Sequence, residues 1–425
     1  RLLKQGREEA PMYLGDDWPT AERRGNLTEE QRKALREVLN QKKRALNTAW
    51  LDRMANHSQF FVEKMTLFWH GHFACRDARP DFLLSLHNTL RFHALGNFGD
   101  LAKAVTREAA MLNFLNNQQN RKQSPNENFA RELMELFTLG RDQYTEEDIQ
   151  EAARAFTGWK LNFSGDFTVN ERQHDDGLKQ FRGAEGPWDG DDIIDLILED
   201  RQCARFIAGK LFRFFVSETP DTERIEEMAE VLYAGDYHIG KLMEHVFLAD
   251  WFYDAQYRGS IIKAPVVLVS ELNRQFAVEY ENPQVLMVVQ RLLGQMLYNP
   301  PNVAGWPGGR AWIDTATLPL RLKLPSAILN QGIIEWTDHG DMPEDAFMVR
   351  DRRPRRDRFA QRLQAVPDWS VFLKGLPEDA DGDLLQELLL AAPPSPMAQA
   401  VLTRSTGDLQ SRVLEILSLP EFQLA

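Results

Sequence analysis

The stretch SPNENFARELMELFTLG, residues 124–140, combines a helix start, an apolar stripe and three glutamates. Ser124, followed by a proline and then by Glu127 at the third helical position, has the form of a capping box. Apolar side chains then recur at steps of three and four, which is the spacing of a helix face that packs on a core. Gly140 supplies the left-handed residue that commonly ends a helix. The stretch therefore predicts one amphipathic helix over residues 125–139.

The same helical periodicity extends over most of the chain. A second start signal pairs Thr145 with Asp148, ahead of an apolar stripe that ends at Gly158. The predicted helices cover residues 28–57, 59–70, 81–95, 97–116, 125–139, 145–157, 191–198, 201–215, 221–234, 238–249, 261–279 and 283–296. We therefore predict a mainly α protein, a multi-helical orthogonal or bundle-like domain with a short irregular or β excursion.

The composition is that of an acidic globular protein. The chain has 425 residues, 43% of them hydrophobic, and a net charge of −13. Nucleic-acid phosphates are bound by positive potential, so this charge argues against a nucleic-acid partner. The sequence holds no apolar run of about 18 residues, so no membrane-spanning helix is expected. Cys75 and Cys203 match no metal-ligand pattern, and a single bridge or two buried thiols are both compatible with the sequence.

Two segments break the helical pattern. Residues 158–190 are rich in Gly, Asp and aromatic residues, and their FTV segment is the best strand candidate. Residues 298–314 contain Pro and Gly that predict a rigid turn assembly. We predict a main helical domain over 1–345, which carries both segments. A basic linker, RDRRPRRDR at 350–358, and a helical C-terminal portion then make up residues 346–425.

Helix physics accounts for part of the glutamate set in the opening stretch. A capping role explains Glu127 without chemistry. Arg131 can pair with Glu127 or with Glu135, each four residues away. Glu132 and Glu135 lie with Asn128 on a face other than the apolar stripe. Because ordinary helix interactions account for part of the glutamate set, the case for chemistry at these two residues is weaker.

FWHGHFACR, residues 68–76, places His70 and His72 two residues apart. On a regular helix the two imidazoles would point about 200° apart, but Gly71 suggests a helix end where both could converge. His-x-His is also a metal-ligand spacing. A metal site, two catalytic or hydrogen-bonded histidines, and two structural histidines therefore all remain open.

A second polar group lies in the irregular segment, where His174, Asp175, Asp176 and Lys179 surround Gly177. Acid, imidazole and ammonium groups on one turn are costly unless they are paired or used chemically. An Asx-type turn with exposed charges is the alternative interpretation. A third group, predicted on a helix surface, comprises His87, Arg91 and His93.

Six blocks of sequence, from about residue 45 to the end, together resemble the bacterial family called domain of unknown function 1800. The blocks are MTLFWHGHF, NQQNRKQSPNENFARELMELFTLG, YTEEDIQEAARAFTGW, HDDGLKQFRG, PPNVAGWPGGRAWI and LSLPEFQLA. The resemblance implies potential chemistry at His70, His72, Asn126, Glu127, Glu132, His174, Asp175, Lys179, Asn302 and Trp306. Its members are often encoded beside exported phosphatase/sulfatase-like proteins. This association implies an extracytoplasmic setting, periplasmic or secreted, and work on sulfated or complex polysaccharides. Residues 1–15 lack a signal region, so we expect a truncated or processed chain.

The first functional hypothesis is a hydrolase acting on a glycosidic bond of a polysaccharide. That chemistry uses one protonated and one ionised carboxyl group. Glu127 or Glu132 could supply one and Asp175 the other, and the assisting histidines are His174, His70 and His72. The expected substrate contacts are Trp69, Asn126, Arg131, Trp159, Lys179, Asn302 and Trp306, and Trp188 offers a further stacking face. We expect the two carboxyl groups to lie within about 10 Å across an open cleft that His70 or His72 also lines.

Two other hypotheses stay open. A metal-dependent hydrolase would bind a divalent ion through His70 and His72, with Glu132 or Asp175. Without that ion, no cofactor is expected. A non-catalytic helical scaffold that partners a phosphatase/sulfatase-like protein would instead use the polar blocks as buried hydrogen-bonded networks.

Overall fold

The structure is a computed structural model that describes residues 10–15, 27–162, 164–330, 333–336, 359–377, 380–404 and 407–425. Helices dominate these residues, and the strands among them form short antiparallel pairs. The prediction of a mainly α fold is confirmed. The basic run at 350–358 and the predicted domain boundary after residue 345 lie outside the described residues.

The chain divides into two compact units. The first unit comprises Arg1–Leu46, Ser58–Tyr257 and Leu297–Pro307, and the second comprises Asn47–His57, Arg258–Met296 and Gly308–Ala425. The turn assembly predicted over 298–314 is thus divided: its residues up to Pro307 belong to the first unit, and those from Gly308 belong to the second.

The helices of the first unit follow the predicted pattern with shifts of a few residues at their ends, except that the single helix predicted over 97–116 is wrong, because extended backbone at Glu108 divides it into two helices. They are α1 (Glu29–Asn56, whose residues from Asn47 onward belong to the second unit), α2 (Phe60–His72), α3 (Pro80–Phe92), α4 (Phe98–Arg107), α5 (Ala109–Phe114), α6 (Asn128–Glu132), α7 (Glu146–Ala155), α8 (Gly190–Leu198), α9 (Arg201–Phe215), α10 (Thr222–Ala234) and α11 (Ile239–Leu248). Across both units, the helices within the described ranges all lack the combination of length and apolar content that a membrane crossing requires.

The helix predicted over 125–139 forms, but it changes type along its length. Helix α6 is followed directly by a π-helical segment, Leu133–Thr138. The N–H of Leu139 donates to the carbonyl of Met134 five residues earlier, at 2.9 Å. Gly140 then ends the segment with φ +89°, as predicted. Single π turns inside helices are rare and frequently occur at functional sites.

The capping box predicted at Ser124 is wrong. Ser124 pairs with Arg121 in an isolated β-bridge, and the helix begins four residues later at Asn128. The Asn120 side chain accepts the N–H of Asn126 at 2.9 Å, and the Asn126 side chain accepts the N–H of Asn128 at 3.0 Å. These two asparagine bonds hold the segment outside the helix, so its start signal is not used. By contrast, the predicted Thr145–Asp148 capping box of α7 is formed.

The irregular excursion after Gly158 contains two β-hairpins. The strands are β1 (Trp159–Leu161), β2 (Phe167–Val169), β3 (Lys179–Phe181) and β4 (Ala184–Gly186). β1 pairs antiparallel with β2, which is the predicted FTV strand, and β3 pairs with β4. Arg182 and Gly183 connect β3 to β4 with φ of 50° and 82°. Two positive φ values in a two-residue loop suit the right-handed twist of a hairpin.

The second unit is also built mainly from helices. Its elements are α12 (Pro265–Gln275), β5 (Glu279–Tyr280), α13 (Val285–Leu292), α14 (Thr317–Leu329), β6 (Ile333–Trp336), β7 (Phe359–Arg362), β8 (Ala365–Val366), α15 (Trp369–Lys374), α16 (Gly382–Leu389), α17 (Pro396–Arg404) and α18 (Leu409–Leu417). β5 pairs with β8 and β6 pairs with β7, both antiparallel. The C-terminal Ala425 exchanges backbone hydrogen bonds with Ile261, which fixes the end of the chain.

A buried polar network lies between α2 and α3. Arg91 donates to Glu63 at 2.7 Å, with both side chains almost fully buried. His87 is also buried, and its Nδ1 lies 3.1 Å from the Tyr298 hydroxyl. The predicted surface location of His87 and Arg91 is therefore wrong, because α3 packs this face against α2; His93 is half-buried.

The two cysteines are free and buried, which decides between the two possibilities left by the sequence. Burial raises the pKa of both the Cys75 and the Cys203 thiol, which disfavours the reactive thiolate.

We expect Arg91→Met to lower the free energy of unfolding by about 3–5 kcal/mol, because it removes the guanidinium that donates to the buried Glu63 carboxylate. Urea denaturation of the variant and the parent measures the difference. Arg205→Met, which breaks the exposed Arg205–Glu226 pair, is the matched control and should change stability by less than about 1 kcal/mol. Equal, small effects of the two substitutions would contradict this account of the network.

Candidate functional site

His70 and His72 point away from each other, because α2 continues through Gly71 to His72. The helix end that was expected to let them converge does not occur at Gly71. His70 is buried, and its Nε2 accepts the N–H of Tyr298 at 3.1 Å. Its ring also lies 5.5 Å from that of Trp306. Burial lowers the pKa of His70 to about 3, so the imidazole is neutral at physiological pH.

The turn around Trp306 fits closely against this helix end. Gly305 has φ +78°, and a Cβ at that position would overlap the carbonyl oxygen of Gly71. The predicted substrate residue Asn302 is exposed, and its side chain accepts the N–H of Ala304 at 2.9 Å. These contacts bring two sequence blocks together as a packing arrangement.

His72 is buried on the opposite side of the helix. Its Nε2–H donates to the carbonyl of Phe137 at 3.0 Å, and its Nδ1 accepts from the Lys210 ammonium at 3.2 Å. Lys210 also donates to the carbonyl of Leu136 at 2.7 Å and lies over the ring of Phe206. Burial lowers the pKa of Lys210 to about 8, and burial also lowers the pKa of His72. The pair ties α2 and α9 to the π-helical segment.

These positions bear directly on the two predicted histidine roles. Both imidazoles are buried, so neither lines an open cleft. Both ring nitrogens of His72 already have partners, so binding a metal would require breaking one of those bonds. Among the residues that the structure describes, no group of three or more His, Cys, Asp or Glu side chains is arranged to hold a metal ion.

The expected aromatic stacking faces are mostly closed. Trp69 is fully buried and donates its indole N–H to the carbonyl of Ala94 at 2.9 Å. Trp159 is buried against Phe156 and Phe167. Both indoles are therefore core residues and cannot stack on a sugar, and Trp306 is half-buried beside His70.

Two loops meet at the C-terminal end of α7. The N–H of Gly158 donates to the carbonyl of Asn120 at 3.0 Å, and the N–H of Lys122 donates to the carbonyl of Gln173 at 2.9 Å. The Asn120 side chain also donates to the carbonyl of Ala153 at 2.8 Å. The sequence blocks at 116–126 and 170–177 are thus joined, although about 50 residues separate them along the chain.

His174 is held in one orientation at this junction. Its Nδ1–H donates to the carbonyl of Thr157 at 2.8 Å, which leaves Nε2 as the acceptor nitrogen. The Thr157 hydroxyl accepts the N–H of Asp175 at 2.8 Å. The side chain of His174 is half-buried, so its position is compatible with a polar contact to solvent or ligand.

Asp175 is occupied by its own neighbours. Arg154 donates to both of its carboxylate oxygens, at 2.8 and 3.2 Å, and the N–H of Gly177 donates at 3.0 Å. The Arg154 hydrogen bond is the main reason that the pKa of Asp175 is lowered. Lys179 is buried and donates to the backbone carbonyls of Asp175 and Gly177, at 2.6 and 3.0 Å. These side chains form a locally neutralised turn.

Glu127 is neutralised in the same way, by Arg131 at 3.2 Å. Arg131 also binds Glu146 at the first residue of α7, at 2.8 Å. Arg154, which holds Asp175, lies eight residues further along α7, which corresponds to about 12 Å of helix axis. The ion pairs of Glu127 and Asp175 are therefore anchored near opposite ends of α7, and each carboxylate has its own arginine.

Glu132 differs from these carboxylates. It is half-buried at the junction of α6 and the π-helical segment, and among the described residues it has no hydrogen-bond or ion-pair partner. Burial raises its pKa, and the negative charge of Glu135 raises it further. Arg141 donates to Glu135 at 2.7 Å and the Tyr144 hydroxyl donates at 3.2 Å. The junction thus places a carboxyl with a raised pKa close to a carboxylate that accepts hydrogen bonds from Arg141 and Tyr144.

The sequence pointed to Glu132 and Glu135 but not to their surroundings. Arg141 and Tyr144 follow the helix end at Gly140. They reach Glu135 because the chain turns back after that glycine. Lys210 approaches His72 across 138 positions of sequence, and no local signal marks it. Burial and distant contacts, rather than motifs, define these roles.

We expect Gly158→Ala to disturb the loop junction more than Gly183→Ala. Both glycines have a positive φ, near +80°, but a Cβ at position 158 would lie 2.7 Å from the Asn170 carbonyl oxygen and 2.9 Å from the His174 nitrogen, whereas nothing lies within 4 Å at position 183. Backbone strain costs about 1–3 kcal/mol at either site, and crowding adds about 1–3 kcal/mol at Gly158 alone. Thermal unfolding measures both; equal losses would contradict the crowding.

The comparisons with known proteins agree with the block pattern of the sequence. A family model described as "Protein of unknown function (DUF1800)" matches residues 3–424, essentially the entire chain. No curated protein matches the chain, and no solved structure matches it. The match extends the resemblance carried by the six sequence blocks to the whole chain. The chain therefore belongs to the DUF1800 family.

Proposed function

We propose that the protein is an extracytoplasmic hydrolase that cleaves a glycosidic bond of a polysaccharide, with Glu132 as the general acid. The observation that carries the proposal is the half-buried Glu132 carboxyl, which has a raised pKa and no partner among the residues described. A general acid must hold its proton at working pH and must have a free oxygen to offer it to a leaving group.

Glu135 fits the second carboxyl role. Its interaction with Arg141 and Tyr144 stabilises negative charge close to Glu132. Glycosidases require one protonated and one ionised carboxyl near the bond, and two carboxyls with different environments can divide these roles. In this proposal Glu132 protonates the glycosidic oxygen as the bond to the sugar breaks, and the Glu135 carboxylate stabilises the positive charge that develops on the sugar. A water molecule then adds to the sugar carbon and gives a proton back to the Glu132 carboxylate.

The proposal changes the residue assignment made from the sequence. Asp175 and Glu127 are each engaged by an arginine, so neither is the unpartnered carboxyl that the acid role requires, and Glu132 takes that role. Glu135 is itself paired with Arg141, and it takes only the role of the negatively charged partner. His174 remains a candidate contact, whereas the closed environments of His70 and His72 favour structural roles. The polysaccharide class and the extracytoplasmic setting rest on the implied association with phosphatase/sulfatase-like proteins.

A scaffold function is the second candidate, and one observation favours it. His72, Lys179, Asp175 and Glu127 all have partners within the protein, and His72 and Lys179 are buried, as expected for structural polar groups. In this alternative the protein would bind a phosphatase/sulfatase-like partner without turnover. Glu132→Gln would then leave partner binding unchanged, and no polysaccharide would yield new reducing ends.

We expect Glu132→Gln to lower kcat by about 10²–10⁴-fold on the polysaccharide that the parent cleaves, because the amide cannot donate the proton. Release of reducing ends from a polysaccharide panel identifies the substrate and measures the loss. Glu147→Gln, on the exposed face of α7, is the matched control and should retain parent activity. Unchanged turnover in Glu132→Gln would exclude Glu132 as the acid.

The dependence of kcat on pH should follow the protonation of Glu132, and two substitutions should shift it in opposite directions. Activity falls as pH rises through the pKa of Glu132, since the acid form is lost. Glu135→Gln removes a charge that raises this pKa, so the alkaline limb should move to lower pH. Arg141→Gln removes a charge that lowers it, so the limb should move to higher pH. If the alkaline limb of the pH profile moved in the same direction in both variants, the assignment of Glu132 as the general acid would be contradicted.

A further inference from the structure

The second unit contains a cavity that is separate from the carboxyl pair. It measures about 250 Å³ and lies among α16, α17 and α18. Its polar lining comes from Asp383, Gln386, Gln399, Thr403, Arg412 and Glu415. Cavities that hold drug-sized ligands begin at about 300 Å³, so this one suits a smaller molecule.

Glu415 is incompletely satisfied in this wall. Its Oε2 is shielded from solvent and has no hydrogen-bond partner within the described part of the chain. A buried carboxylate oxygen without a donor is unfavourable, and a ligand that supplies a charged donor would relieve it. The terminal torsion of a glutamate is broad, so the carboxylate can turn toward a ligand in the cavity.

Arg412 lies one helical turn before Glu415 on α18, and it lines the same cavity. Opposite charges three residues apart on a helix commonly pair with each other. Here no ion pair joins them, and Arg412 has no other ion-pair partner among the residues described. The cavity therefore presents the cation of Arg412 beside the uncompensated anion of Glu415, and the Asp383 carboxylate is a further acid in its lining.

The neutral groups of the lining add acceptors. Gln386 donates its amide N–H to the carbonyl of Gly382 at 3.1 Å, so its amide oxygen remains available as an acceptor for a ligand. The Thr403 hydroxyl donates to the carbonyl of Gln399 at 2.8 Å, so the lone pairs of its oxygen remain available to accept a hydrogen bond from a ligand. Acceptors and a carboxylate thus suit an ammonium group, and the donor-only guanidinium of Arg412 suits a carboxylate.

We infer that this cavity binds a free α-amino acid, with the ligand's ammonium group at Glu415 and its carboxylate at Arg412. An α-amino acid carries both charges on one carbon and so can reach two side chains on adjacent helical turns. A neutral sugar would leave the two charges uncompensated. The inference is independent of the proposed hydrolase activity.

The test uses the full chain and each of the common α-amino acids, tested singly by thermal shift and then, for the best, by titration calorimetry. We expect at least one to raise Tm, and its N-acetyl and amide derivatives to bind at least tenfold more weakly, because each lacks one charge. Failure of every amino acid, or equal binding of a neutral monosaccharide, would overturn the inference.

Substitutions then locate the ligand. Glu415→Gln and Arg412→Gln should each weaken binding of the best amino acid at least tenfold, whereas Glu387→Gln, on the exposed face of α16, should leave it unchanged. Parental affinity in both cavity variants would place the ligand elsewhere and reject this site. The derivative series requires no mutation, so it decides the matter if a variant fails to fold.

Discussion

The pairing of carboxylates with individual arginines governs which acids in the first unit are available for chemistry. Glu63 is held by Arg91 in the core, Glu127 by Arg131 at the surface, and Asp175 by Arg154 at the loop junction. The buried Arg91–Glu63 pair offsets the cost of removing two charges from water, whereas the more exposed pairs mainly give their carboxylates local partners. Glu132 lacks an arginine partner among the described residues, and the acid role proposed for it rests on that and on its partial burial.

The exception arises where the helix changes its geometry. Widening the helix over Leu133–Thr138 redirects backbone carbonyls, and those of Leu136 and Phe137 receive the Lys210 ammonium and the His72 imidazole. The same segment carries Glu135, whose carboxylate accepts a hydrogen bond from Arg141, the residue after Gly140. The contacts of His72 and Lys210 and the Glu135 carboxylate therefore belong to one short segment, and Glu132 is the last residue of the helix before it.

Local patterns predicted the architecture well, because helix periodicity and the Thr145 capping box act over a few residues. They failed at Ser124, where the side chain of nearby Asn120 binds the backbone N–H of Asn126, and at His87 and Arg91, where tertiary packing buries polar side chains. The FTV strand was predictable, but the Arg182 turn lacked the usual asparagine signal.

The candidate site was predictable only as a set of residue types. The sequence identified Glu132 and noted Glu135 on the same face, yet it also placed weight on Asp175, His70 and His72. Spacing along a chain does not reveal which carboxylate meets an arginine or which imidazole is enclosed. The ion pair of Asp175 with Arg154 depends on a chain reversal that no motif encodes.

The most direct measurement is the titration of the Glu132 carboxyl itself. NMR of protein labelled with ¹³C at the glutamate carboxyl, with Glu132→Gln used to assign the resonance, follows its protonation state by state. The account predicts a midpoint clearly above that of an ordinary glutamate, about 4.3. A midpoint at or below that of an ordinary glutamate would contradict it, because the acid would then be ionised whenever a leaving group needs its proton.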